Sequence, residues 1–258
     1  MTRQVSSKNS FSHSDKAYWN LKRKIITLEM EPGAEINEAA LTRVFGLGRT
    51  PIREALFRLL SEDLLEMRPG RGFFVKHITF KDAKDIFDTL LLLDKIAITS
   101  AVNFLTADEI NELSQINGTL KGAWQNREYL KVALLNSDFH RLIYNSVNNS
   151  FLCSYLNNMQ NHLDRLTYMS VSENNDRLRC HFWQSIKEHK EIIEAFREKN
   201  VARALEVNIQ HIKNFHRTIV GFGDISKNEI NFYTRGNGES AVLKEDLFSD
   251  EKEAGYLE

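Results

Sequence analysis

Leu41-Thr-Arg-Val-Phe-Gly-Leu-Gly-Arg-Thr-Pro-Ile-Arg-Glu-Ala-Leu-Phe-Arg-Leu-Leu-Ser-Glu-Asp-Leu-Leu-Glu-Met-Arg-Pro-Gly-Arg-Gly-Phe-Phe-Val-Lys76 reads as two short helices joined by a tight turn, then a β-hairpin with a basic tip. The expected shape is a winged helix-turn-helix, which sets its second helix into the major groove of DNA. Gly46 ends the helix Asn37 to Phe45, because glycine takes a left-handed C′ conformation at little cost. Thr50 is the expected next N-cap and Pro51 the first helical residue, where a missing N–H does no harm. Ile52, Ala55, Leu56, Leu59 and Leu60 then repeat at the i, i+3, i+4, i+7, i+8 spacing of a core-facing helix. Arg49, Arg53 and Arg58 lie off that stripe.

Arg49, Thr50, Pro51 and Arg53 cluster at the helix N-terminus, the part of this motif that meets base edges. A guanidinium there forks onto guanine O6 and N7 or holds a phosphate. Beyond Leu64 the period drops to two: Leu65 and Met67 alternate with Glu66 and Arg68, and Pro69-Gly70-Arg71-Gly72 turns the chain. Arg71, beside Gly72 at the tip, is placed for a neighbouring phosphate or the minor groove. The blander alternative is a small helical subdomain with a solvated basic loop.

These motifs resemble the DNA-binding domain of the GntR family of bacterial transcription regulators. The resemblance runs through Met30-Glu-Pro-Gly33, Arg49-Thr-Pro-Ile-Arg-Glu-Ala-Leu56 and Arg68-Pro-Gly-Arg-Gly-Phe-Phe-Val75, and covers 15–76 almost without gaps. It implies DNA contacts at Arg49, Thr50, Arg53, Arg71 and Gly72. Gly48 stands where the family commonly has serine, and Ala39 where it often has an arginine that touches DNA.

Charge is distributed to match. Residues 1–78 carry 13 Lys and Arg against 9 Asp and Glu, residues 79–222 balance at 17 against 17, and 223–258 hold 4 against 9. The positive end coincides with the DNA motif, as phosphate contacts require. Its excess is modest, so dimerisation is expected to be needed for tight binding. Cys153 and Cys180 are too few and too far apart for a disulfide framework or a metal knuckle. Met1 to Asp15 is polar and serine-rich, a tail rather than a signal peptide. Apolar runs reach only four residues, as at Leu90 to Leu93, far short of a membrane span. A cytoplasmic protein is expected.

From Thr79 to about Phe222 there is no proline, and helical stripes recur over roughly 80–104, 106–124, 127–147, 150–171, 175–199 and 201–221. Thr106 with Asp108 and Glu109 marks one helix start. Asn148-Asn149-Ser150 and Asn174-Asn175-Asp176 are polar breaks. The expected fold is mainly α: a winged helix-turn-helix at 15–78, an all-helical bundle at 79–222 able to enclose a ligand, and mobile tails at 1–14 and 223–258. The last holds one short helix near Val242 to Phe248.

Histidines carry the chemical interest of this half. Asn136 and His140 are four apart, hence on one helix face. His189 and His211 are each eleven residues from Asn200, where the chain is expected to reverse. At 1.5 Å per residue both lie about 16 Å from that turn, at the same height in an antiparallel hairpin. Converging in a helical core, three imidazoles make a divalent metal site with open positions. Otherwise they are ordinary surface or core histidines, or bind an anionic effector directly.

This half resembles the FCD ligand-binding domain of the FadR-like branch of the same family. The motifs are Asn136-Ser-Asp-Phe-His-Arg-Leu142, Glu188-His-Lys-Glu-Ile-Ile-Glu-Ala195 and Ile209-Gln-His-Ile212. The resemblance implies that His140, His189 and His211 hold a divalent transition metal such as zinc, nickel or manganese and help bind the effector. Asn136 stands where the family's fourth ligand is an aspartate, and an amide oxygen is the weaker, neutral donor. Leu90 stands where an arginine often lies near the pocket.

Together these readings describe a homodimeric transcription regulator, in all expectation a repressor, on a palindromic double-stranded operator. Its operator affinity would follow a small organic or sugar acid, a carboxylate. One rival is a regulator that senses the metal itself. Another is a metal-dependent enzyme with a DNA tether, disfavoured because no base or nucleophile stands beside the histidines.

Overall fold

The computed structural model describes residues 12–172 and 176–225. They form two compact units that divide after His77. The terminal stretches 1–11 and 226–258, with the short helix read near Val242 to Phe248, lie outside the described residues. So do the Asn174-Asn175 break and the side chains of Cys180 and His181.

In the first unit α1 (His13–Ile26), α2 (Glu38–Phe45) and α3 (Arg49–Ser61) precede the hairpin β1 (Leu65–Arg68) and β2 (Gly72–Val75). Ser12 and Asp15 form a capping box that starts α1 at His13, inside the stretch read as a tail. Asn37 caps α2 through Ala40 N at 3.0 Å, and Gly46 closes it at φ +61°. The start of α3 corrects the sequence reading. Gly48, extended at φ −65° and ψ 168°, is the N-cap, and Arg49 is already helical. Thr50 and Pro51 fall in the first turn, where amides have no intrahelical acceptor and proline is still harmless. With glycine at the cap, no side chain covers those amides.

Ile52, Ala55, Leu56 and Leu59 are buried against Tyr18, Leu21, Ile25 and Leu41. The strands pair antiparallel from Leu65 opposite Val75 to Arg68 opposite Gly72. Period two fails on this hairpin: Met67 is exposed, whereas Phe73, Phe74 and Val75 are all buried. Glu35 bridges Phe74, so β2 is covered from its second edge and both its faces lie under protein.

The second unit contains α4 (Phe80–Phe104), α5 (Ala107–Gln125), α6 (Tyr129–Asn145), α7 (Ser150–Ser172), α8 (Asp176–Arg197) and α9 (Val201–Ile225). Capping boxes at Thr79 with Asp82 and at Thr106 with Glu109 start α4 and α5. The α8–α9 reversal is built by Lys199, left-handed at φ 53°, and by Asn200, whose side chain accepts from Arg203 N at 3.0 Å. Lys199 Nζ also donates to the carbonyls of Val102 and Leu105, a cation at the negative end of α4. The core gathers Phe87, Ile98, Phe139, Leu156, Ile192 and Phe196. The leucine run on α4 divides: Leu90 is buried while Leu92 is 67% exposed.

Candidate functional site

The reversal at Asn200 brings α8 and α9 side by side, and α6 packs against the same core. His140 from α6, His189 from α8 and His211 from α9 meet there, with candidate ligand atoms all within 4.8 Å of one another. Ring centroids are 5.2 Å apart for His140 and His189, 5.4 Å for His140 and His211, and 4.8 Å for His189 and His211. Nitrogens at ~2.0–2.1 Å from one ion stand at most about 4.2 Å apart, so small ring movements suffice to close on a metal.

Three details bear on whether the residues fit one. His189 is fully buried, and neither of its ring nitrogens has a hydrogen-bond partner. A buried imidazole in that state is costly unless something else engages it. Its ring stacks on Phe139 with centroids 4.0 Å apart, which fixes its plane. His211 Nδ1 lies 2.9 Å from Glu188 Oε2, so Nδ1–H donates to the carboxylate and Nε2 is left for the cluster, the usual support of a metal-bound histidine. Burial opposes ionisation of Glu188 most strongly, but hydrogen bonds from His211, Gln184 and Asn214 together hold its pKa below the ordinary value. Desolvation, then the neighbouring His211, pushes His140 down to about 3. Desolvation likewise takes His189 well below the ordinary value. Both imidazoles are therefore neutral at neutral pH, with lone pairs available.

Asn136 is buried and lines the same cavity as His140 and His211. Asp138, two residues on, is on the exposed face of α6. Asp94 on α4 faces the cavity with Tyr144, Gln160 and Leu90. Burial raises its pKa to about 6 against the opposing hydrogen bond of Asn208. The cavity measures about 30 Å³, room for roughly two waters. Sequence reasoning missed Glu188 as the support of His211, and Asp94 and Gln160 as cavity walls. A lone carboxylate directly after four leucines was the available signal for Asp94.

On α3 of the first unit, Arg49, Thr50 and Arg53 are exposed together. Arg53 Nε is 3.6 Å from Glu38 Oε2, and its guanidinium carbon is 5.7 Å from the Phe57 ring centre. Glu38 is a neighbour the sequence did not suggest. Arg58 turns the other way, over the Tyr18 ring at 3.5 Å and toward Asp15 and Glu62. Arg71 is exposed at the wing tip between Gly70 (φ +71°) and Gly72 (φ +85°).

Residues 85–214 match the FCD domain and residues 13–75 the bacterial regulatory proteins of the gntR family. The chain belongs to the GntR family. Among GntR-type relatives, the uncharacterized HTH-type transcriptional regulator YdhC of Bacillus subtilis is 26% identical over 76% of this chain and 86% of its own. McbR of Escherichia coli is 28% identical over 53% of this chain and 62% of its own. The gluconate operon transcriptional repressor of Bacillus subtilis is 24% identical over 76% and 79%. The solved structure of E. coli McbR/YncC superposes with a TM-score of 0.72 at 20% identity, covering 83% of this chain and all of that one. The GntR chain described here is thus a DNA-binding transcription regulator with an FCD domain, and not an enzyme. Among the described residues no helix is long and apolar enough to cross a membrane.

Glu188→Gln tests the support given to His211. The amide keeps the shape but not the charge, and metal affinity should fall about 10–100-fold, read by competition with a chromogenic chelator. Unchanged affinity would remove Glu188 from the site.

Proposed function

We propose that this regulator is a homodimeric repressor of a palindromic operator. In this reading its operator affinity is set by a small organic acid bound in the FCD unit through a divalent transition metal. His140, His189 and His211 would hold the metal, with Asn136 beside them. The observation that carries the reading is His189, buried with both ring nitrogens unmatched beside two other imidazoles. A metal held there would anchor a ligand carboxylate on its open positions. The chain's own part is to keep His140 and His189 neutral by burial and to aim His211 through Glu188.

Dimerisation is supported by the modest positive excess of 1–78, which leaves one module few phosphate contacts. The effector acts only if it binds one arrangement of the dimer better than another. The size of the cavity favours a second reading, a regulator that senses the metal itself, since an ion with a water fills it and an organic acid needs the helices to part.

Elemental analysis of tag-free protein purified without chelator tests the site. About one transition metal per chain is expected. Operator binding with and without that metal then separates the readings, because metal alone shifts affinity only under the second. Absence of metal, even after incubation with zinc, nickel or manganese, would sink both.

A further inference from the structure

Two walls of the cavity remain unexplained by the histidines. Asp94 is 3% exposed and Gln160 1% exposed, and both line it. Asp94 Oδ2 accepts from the Asn208 amide at 2.6 Å, and the Tyr144 hydroxyl supports the same carboxylate, yet Oδ1 has no partner. Gln160 Nε2 donates to Asp164 at 2.8 Å. That bond assigns the amide, since the flipped form would set oxygen against oxygen, and it leaves Oε1 without a partner.

Buried polar atoms in native proteins are nearly always matched. Here two orphans of the same polarity, both acceptors, belong to residues that line one small space. None of the lining residues is Lys or Arg; the imidazoles among them are His140 and His211, the second of which faces Glu188 through Nδ1 and also acts on Asp94. A bare anion is disfavoured beside Asp94. Phe182 and Phe215 line the same space, and aromatic faces suit a cation.

We infer that the part of the cavity lined by Asp94 and Gln160 binds a primary ammonium group of the effector, which is therefore an amino acid. An ammonium offers three donors and no acceptor, the complement of this wall. The inference rests on reading the cavity as the effector site. It does not depend on the metal.

The test uses the full chain after chelator treatment, with methylammonium chloride as probe. Methylammonium has two heavy atoms, about the size of the two waters the cavity holds. Sodium chloride at equal ionic strength and methanol at equal concentration are the controls. Melting temperature should rise by roughly 3–6 °C when the probe exceeds its dissociation constant about tenfold, and in neither control. Asp94→Asn should abolish the shift and Gln160→Met should reduce it; should the first variant not fold, the second decides. A shift shared by sodium chloride or methanol, or undiminished in the variants, would overturn the inference. Metal content is read separately on untreated protein. A metal-bearing protein indifferent to methylammonium sinks this inference alone, and a metal-free protein that responds sinks only the metal.

Discussion

Arg53→Ala should weaken binding to the cognate operator by about 1–3 kcal/mol, roughly 5- to 150-fold. The side chain stands exposed on the first turns of α3, beside Arg49 and Thr50. Glu38 lies near its Nε and Phe57 flanks its guanidinium. Glu38 stands nearest Nε, and the two terminal nitrogens remain as a fork, the geometry that reads guanine O6 and N7. Because the residue is exposed, its loss should change thermal stability by no more than about 0.5 kcal/mol, so weakened binding is not a folding defect. The assay is fluorescence anisotropy on operator and random duplexes over a salt series. Loss confined to the operator marks a base contact. Equal loss on both duplexes, with the salt slope smaller by about one, marks a phosphate contact instead.

His189→Leu should abolish metal retention and yet leave the chelated protein as stable as before, or more stable by on the order of 1 kcal/mol. Both effects follow from the same unmatched nitrogens. Leucine removes one of the three imidazoles of the proposed site, and it also removes two buried polar atoms without a hydrogen-bond partner. Against that gain stands the stacking on Phe139, worth about 0.5–1.5 kcal/mol for an aromatic pair. Elemental analysis and thermal denaturation in chelator measure the two effects. Full metal content in the variant would dismiss the site, and a large loss of stability in chelator would make His189 a packing residue.

Much of the first unit was legible because its signals are local. The glycine that closes α2, the apolar stripe of α3 and the turn at the wing tip act within a few residues of themselves. The errors there are local too. The cap of α3 falls on Gly48, not Thr50, because the backbone is extended at Gly48 and helical from Arg49. Met67 escapes burial although Leu65, on the same face of β1, and Phe73, opposite it, are both buried. Spacing also placed His189 and His211 at equal height, since an antiparallel hairpin converts distance from the turn into height. Which way each ring faces depends on packing around α6, α8 and α9, and no spacing contains that.

The amino-acid pattern alone determined a winged helix-turn-helix joined to a helical bundle, the arginines at the start of α3, and three histidines able to converge. These follow from periodicity, capping and chain reversal, all short-range. The tertiary structure decided what surrounds them: Glu188 behind His211, Glu38 beside Arg53, and Asp94 and Gln160 in the wall of the cavity. Those neighbours come from elements far apart in the chain or from faces that only packing selects. The unmatched acceptors of Asp94 and Gln160 exist only once water has been excluded from between the helices.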